Sequence, residues 1–511
     1  MMASRIRTLT CGVGAGCALA LLASASLWVS PTPSDVAGTA LSAHPSQIRL
    51  ACPAGIVDPF DTSNVAAATA WTSTSAAPVS PAPTLVTGEA GVIPSALSIA
   101  GQGGGELAGL SAVGCAAPRT SQWIATGATT SGADIVLLLS NPGPTASVVS
   151  VDGFGASGRL NTAPRQVTVP AGSTASVLLA GWFPDESALA VHVQADGGGV
   201  AAWAQASLMN GEIPQGTTLA SASVPAPSHT ILGIDPRGTS LLRLVSPSGD
   251  ARVRVWVADS SGVHPLPGGE ATVAEGTTLD MPLDGASNDS TPIALLVTAD
   301  QDVVAHATTI TLGAPWAERA SAWIMRANAT PTTSLTEAAI PGRKQLQDAA
   351  TSVLSSAPIR DTSLATESGV TAVRAHLLLY VPAQATGSAP QQQSPAPQSG
   401  TPTPTPTPDI WSSPSPTQPQ SDPAQDPQSS GTSSSTPGAV AVRVGERTVY
   451  VAPGIPTLVE APDAAGRILA QSPIHAAIVV SADTAVGTMS TTWNVGTEGI
   501  SAVTGDIRLT N

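Results

Sequence analysis

The sequence predicts an all-β protein built from tandem immunoglobulin-like β-sandwich repeats, about three of them, behind an N-terminal signal or anchor helix. Three observations lead there: short apolar runs with two-residue periodicity, Gly, Pro, Asn and Asp turns between them, and turn motifs that return at a fixed spacing. The stretch Ala188 to Gln205 shows the first two. Leu189, Val191 and Val193 alternate with Ala190, His192 and Gln194, as in a strand with one face in a core, and Asp196-Gly197-Gly198-Gly199 then interrupts the run. Asp and Gly tolerate the positive φ of a tight hairpin, so Val200 onward reads as the returning strand.

Two further stretches have the same form: Ile293, Leu295 and Val297 before Asp300, and Ala476, Ile478 and Val480 before Asp483. Asp196 and Asp300 are 104 residues apart (300 − 196), and Gly172 of Val169-Pro170-Ala171-Gly172 precedes Gly276 of Val273-Ala274-Glu275-Gly276 by the same interval (276 − 172). Two motifs holding one spacing mark an internal repeat. A third version, Val451-Ala452-Pro453-Gly454, stands 29 residues before Asp483 (483 − 454), against 24 in the first copy (196 − 172). Asp196, Asp300 and Asp483 are therefore expected at equivalent hairpin turns, where Asp is selected for bonds to its own backbone rather than as a catalytic acid or cation ligand.

Taken in order, residues 1–40 read as a signal peptide or signal anchor with a spacer. Arg5 and Arg7 precede the uncharged run Cys11 to Ser30, which has the form of an export signal and is also long enough to span a bilayer. Cleavage, for which Gly38-Thr39-Ala40 is a candidate site, and retention in the membrane through residues 11–30 both stay open. Residues 41–118 read as loop-rich. Cys11 and Cys17 lie in the export segment, and the two remaining cysteines, Cys52 and Cys115, are expected to form one disulfide closing 63 residues (115 − 52). Gly101-Gln102-Gly103-Gly104-Gly105 has no strand signal before it and no GKS or GKT after it, so it reads as a flexible loop and not a phosphate cradle.

The first sandwich is expected over 119–227, where Ile135 to Ser140 forms a buried strand ended by Asn141-Pro142-Gly143-Pro144. The second, over 228–343, repeats the order with Leu241 to Ser246 and Ala251 to Ala258. Residues 344–370 read as a linker whose part 344–355 is a short helix. The third sandwich, over 371–511, is opened by an insertion at 383–437 that includes TPTPTPTP at 401–408. Almost without aliphatic residues, this insertion has no core to bury and is predicted disordered or polyproline-like, in place of the Asn-Pro-Gly turn of the first repeat.

Composition narrows the chemistry. With 42% hydrophobic and 11% charged residues, and Lys344 as the sole lysine, the chain fits an exported β-rich protein better than a cytosolic enzyme. A net charge of −15 argues against nucleic acid as a partner. No HExxH, CxxC pair, GxSxG or P-loop occurs, and the seven histidines (His44, His192, His229, His264, His306, His376, His475) are scattered, so no metal, no cofactor and no catalytic residue is expected. Asp300 with Asp302, and Asp284 with Asp289, come nearest to a calcium pair but match no known loop spacing. Asp185 with Glu186, and Asp300 with Asp302, are the carboxylate pairs available to a polysaccharide hydrolase. Trp123, Trp182, Trp203, Trp256 and Trp493 lie on or beside strands and are expected to pack cores rather than form a glycan platform.

The Cys52-Pro53 step, the run Leu139-Ser140-Asn141-Pro142-Gly143 and the turn Ala195-Asp196-Gly197-Gly198 with Trp203 resemble a family of exported actinobacterial proteins, domain of unknown function 5719. The resemblance covers most of the chain from residue 50, apart from the insertion, and implies no activity and no catalytic residues. The expected function is that of a non-enzymatic exported cell-envelope protein, a structural or binding module for a protein partner or cell-wall glycan. The alternatives are an extracellular accessory subunit of a membrane enzyme and a polysaccharide-active hydrolase.

Overall fold

Buried and exposed side chains alternate clearly in strands such as Ala251–Asp259 of the computed structural model, which describes residues 49–73, 76–79, 84–87, 94–161, 163–211, 213–315, 322–360, 370–383, 438–484 and 487–496. The export helix expected over 11–30, and all of the insertion beyond Ala383, lie outside these residues. Among the described residues no helix is long and apolar enough to cross a membrane.

The N-terminal segment holds β1 (Arg49–Cys52), β2 (Ala68–Thr72), β3 (Ala76–Val79), β4 (Thr84–Thr87), β5 (Ala96–Gln102) and β6 (Gly109–Gly114). The loop-rich expectation for 41–118 is corrected: β3-β2-β5-β6 form a four-stranded antiparallel sheet, and β1 pairs β4. Every residue of β5 is buried, so its sequence ALSIAGQ carries no inside-outside contrast and hides the strand.

Two-layer β packing begins with β7 (Ser121–Ile124), β8 (Ala133–Asn141), β9 (Ser147–Gly155), β10 (Gly158–Arg159), β11 (Arg165–Val169), β12 (Ser173–Leu178), β13 (Ala190–Ala195), β14 (Ala201–Asn210) and β15 (Ile213–Ser221). One sheet runs β11-β9-β13-β7 and the other β12-β8-β14-β15. Between them Ile135, Leu137 and Leu139 meet Val149, Val151, Val191 and Val193. Each such side chain contributes about 1.5–3 kcal/mol on burial.

The chain continues with β16 (Ala226–Ile234), β17 (Thr239–Val245), β18 (Ala251–Asp259), β19 (Gly262–Val273), β20 (Thr278–Pro282), β21 (Ile293–Pro315), β22 (Ala322–Ala329) and β23 (Pro331–Thr332). Its sheets are β19-β18-β21-β16 and β20-β17-β21-β22, the same scheme with β21 serving both. Even the register is carried over. Leu139 faces Ala202 as Arg243 faces His306, and Val151 faces Val193 as Val255 faces Val297, each pair displaced by 104 (243 − 139, 306 − 202, 255 − 151, 297 − 193).

A third set follows the scheme again: β24 (Leu335–Ile340), α1 (Arg343–Leu354), β25 (Val370–Tyr380), β26 (Val440–Val444), β27 (Arg447–Val451), β28 (Thr457–Glu460), β29 (Gly466–Thr484) and β30 (Gly487–Val495). Its sheets are β27-β26-β29-β24 and β28-β25-β29-β30. The first strand, β24, lies upstream of Thr371. Helix α1 is likewise part of this unit and not of a linker, because Leu346, Ala349, Ala350, Val353 and Leu354 form one apolar stripe buried in its core. The same core takes in Trp71, Leu97, Ile99 and Leu110, so α1 also covers the N-terminal sheet.

The last strands of the four sheets meet. Strand β15 lies against β6 and β22, β22 against β30, and β30 against β6, closing a ring. Gly109 fits this seam because a Cβ there would stand 1.9 Å from the Thr217 carbonyl oxygen, and Thr217 N donates to Ala108 O at 2.9 Å.

Candidate functional site

The structure separates the three recurring aspartates. Asp196 and Asp300 are not at hairpin tips: β13 belongs to one sheet and β14 to the other, so Asp196 stands where the chain crosses between layers, and Asp300 stands at the same crossing within the continuous β21. Their carboxylates do identical work. Asp196 Oδ1 accepts the Val148 N–H at 2.7 Å, and Asp300 Oδ1 accepts the Arg252 N–H at 2.7 Å, both across 48 residues. Asp196 also accepts from Ser147 Oγ at 3.0 Å. Asp483, by contrast, does sit in a hairpin, between β29 and β30, one connection later in the scheme. It binds Arg374 at 2.6 Å and Thr488 Oγ1 at 2.9 Å, and the Arg374 hydrogen bond lowers its pKa. The three therefore occupy two kinds of position, each with its own partners.

The glycine motif, unlike the aspartate, recurs in all three units. Gly172, Gly276 and Gly454 take φ of 63°, 66° and 81°, and each donates its N–H to a carbonyl just past the second long strand, Gly143, Ser246 and Val381. Positive φ is what makes glycine the residue that fits.

Cys52 and Cys115 are disulfide-bonded across the N-terminal segment. The glycine run does follow a strand, β5, but its backbone packs on protein: Gly103 N donates to Leu354 O at 3.1 Å, and a Cβ at Gly105 would meet Arg360 O at 2.4 Å. Of the carboxylate pairs, Asp300 and Asp289 are engaged with Arg252 N–H and with Ser260 respectively. Glu186 N donates to Thr129 Oγ1, and the neighbouring Asp185 has φ 59°. Among the described residues no group of three or more His, Cys, Asp or Glu is placed to hold a metal ion.

Chemistry-bearing side chains gather instead on the sheet faces that point away from each sandwich core, of which the Trp123 face of the first sandwich packs on Val245 and Val304 of the second. On the first sandwich, His192 lies between Trp123 on β7 and Asp152 on β9. Its ring stacks on Trp123 at 4.4 Å and 10°, and Ser121 Oγ is 2.8 Å from Nε2. Burial pushes the imidazole below its ordinary 6.5, with Asp152 opposing. A Ser, a His and an Asp are thus neighbours, but Asp152 Oδ1 is held by Arg159 at 2.5 Å and Asn161 at 3.1 Å, and the stack on Trp123, not an acid, orients the imidazole.

On the second sandwich, Arg252, Arg254 and Trp256 point outward from β18 while Val253, Val255 and Val257 point into the core. Trp256 is 37% exposed and pairs with Leu296 and Pro265. The core expectation holds for Trp123, Trp203 and Trp493, which are buried, but Trp256 corrects it. The signal was present in RVRVWV: period two puts the ring on the arginine face. On the third sandwich Tyr450 is 57% exposed beside Ala441.

The strand ring is a polar junction. His306 Nε2 and Thr308 Oγ1 meet Asn328 Oδ1 at 3.1 and 2.9 Å, and Asn328 Nδ2 reaches Thr218 Oγ1 and Leu219 O, each at 3.4 Å. Ser111 Oγ accepts from Leu219 N at 2.8 Å, and Thr491 Oγ1 accepts from Ala112 N at 2.8 Å. Burial holds His306 down at about 4. These bonds tie the four sheets together and leave the imidazole neutral.

The fold and these faces define an all-β protein whose polar side chains bond strands to one another and whose sheets present aromatic and cationic groups on their faces. Residues 68–388 match the model of a family of unknown function, DUF5719, and the chain belongs to that family. Neither the curated proteins nor the solved structures contain a match.

Proposed function

We propose that the chain is a non-enzymatic exported envelope protein, assembled from three copies of one β-sandwich module, that offers its outward sheets to a protein partner or a cell-wall glycan. One observation carries this reading: the aspartates that recur at equivalent places, Asp196 and Asp300, each accept the same strand N–H across 48 residues. A residue type kept at such a position serves the scaffold, while the residues that differ between equivalent faces, Asp152 and His192 in one sandwich against Trp256 and Leu296 in the next, suit different contacts. The apolar run at residues 11–30 directs export and, where it is not removed, tethers the protein to the membrane. Cross-linking in intact envelopes followed by capture through the full-length chain tests the proposal. Enrichment of a defined protein or glycan over a mock capture is expected; a capture that enriches nothing counts against it.

A further inference from the structure

We infer that the part of the second sandwich's outward face left uncovered where Leu232, Ala258 and Ala294 pack on Leu378 and Tyr380, the strip from Arg252 to Trp256, binds an acidic glycan, with a sugar ring stacked on Trp256 and a sugar carboxylate held by Arg252. The inference rests on the glycan branch of the function proposed above and names the site and the ligand chemistry.

Arg252, Arg254 and Trp256 occupy alternate positions on β18, so their side chains leave one face at intervals of about 7 Å. Arg254 is already neutralised by Glu270 at 3.3 Å, whereas Arg252 has no ion-pair partner among the described residues. The nearest carboxylate in the register, Asp300, has its Oδ1 on the Arg252 backbone N–H, which fixes the strand from which the guanidinium projects. Thr298 and Ser228 extend the Arg254 row with exposed hydroxyls.

Each group has a counterpart on a sugar acid. The indole offers an apolar, electron-rich face to the C–H face of a pyranose ring. A guanidinium without a partner matches a carboxylate by two parallel N–H bonds. The Arg254–Glu270 pair presents donors and an acceptor to adjacent hydroxyls. Charge sets only the range of the attraction. A chain with 20 basic and 35 acidic residues repels a polyanion at long range, but at a Debye length of about 8 Å that repulsion is screened and a sugar carboxylate meets Arg252 locally. The strip is particular to this sandwich, because the equivalent positions in the first are Val148, Ser150 and Asp152 (252 − 104, 254 − 104, 256 − 104).

Affinity electrophoresis of the full-length chain tests this, with gels containing polygalacturonate, the same polymer after carboxyl reduction, or polyglutamate. Polygalacturonate is expected to retard the protein in a salt-sensitive way, the reduced polymer to bind about tenfold more weakly, and polyglutamate not to bind. Arg252→Ala should abolish the difference between the two sugar polymers, Arg252→Lys should restore part of it, and Trp256→Ala should remove binding to both with an unchanged circular dichroism spectrum. No retardation by polygalacturonate, equal retardation by polyglutamate, or wild-type binding by both alanine variants would overturn the assignment. The envelope capture separates the two claims. If Trp256→Ala still captures its envelope component, the strip is wrong and the envelope function stands; if wild type binds polygalacturonate but captures nothing, the reverse holds.

Discussion

Replacing Asp300 by alanine removes the carboxylate that accepts the Arg252 N–H, a charged hydrogen bond of 2.7 Å. Such bonds contribute about 1.5–3 kcal/mol when shielded, and this one is exposed, so a loss of about 1 kcal/mol is expected. Asp196→Ala, which also strips Ser147 Oγ of its acceptor, should cost about 2 kcal/mol. Hydrogen exchange read by mass spectrometry localises the effect. Peptides from 251–259 in the first variant and 147–155 in the second should exchange about 5–30 times faster, with the other sandwich unchanged. The two sites share no partner, so the double variant should show the sum. Asparagine keeps Oδ1 and should restore most of the protection in both. If asparagine is as damaging as alanine, or if exchange over 251–259 does not change, the latch is not what these residues provide.

Other outcomes follow from the seams. Burial depresses both His306 and His475 from 6.5 to about 4, which favours the neutral imidazole in the fold. Their stabilising contribution is therefore complete above pH 6.5, is lost as pH falls toward about 4 and changes no further below that, on the order of 3 kcal/mol each. His306→Gln, which keeps a donor for Asn328, should flatten the acid side of a stability-pH curve; a curve parallel to wild type would contradict the assignment. Serine at Cys52 and Cys115 reopens a 63-residue loop and should destabilise the N-terminal sheet by about 4 kcal/mol, seen as selective proteolysis within 49–115. Gly109→Ala forces a Cβ into the Thr217 carbonyl and should cost about 1–3 kcal/mol by thermal melting, whereas Gly181→Ala, with nothing within 4 Å, should melt as wild type.

Much of the scaffold was legible in the amino-acid pattern. The interval between Asp196 and Asp300 reappears in the register of β8 with β14 and of β17 with β21, since a shared spacing preserves which residues face each other. What the pattern could not tell is where a returning strand goes. Asp and Gly select the same local backbone whether the chain folds back beside its neighbour or crosses to the opposite layer, and only distant strands such as β8 decide. In the third unit the crossing falls within β29, at Gln471-Ser472-Pro473, with no aspartate to mark it, and Asp483 lies one connection later, opposite Thr488 of β30. The faces were legible in part. Alternation in β18 places Trp256 with the arginines, but the stack of His192 on Trp123 joins β7 to β13 across 69 residues (192 − 123), beyond any local pattern.

The central claim is that the chain acts through its sheet faces and not through ionisable catalysts. Cross-linked envelope capture by wild type, by a variant combining Asp185→Asn, Glu186→Gln and Asp300→Asn, and by Trp256→Ala tests it in one measurement. The account predicts that the triple variant captures the same component as wild type and that Trp256→Ala loses it. Loss of capture or of envelope function in the folded triple variant, with Trp256→Ala unaffected, would contradict it.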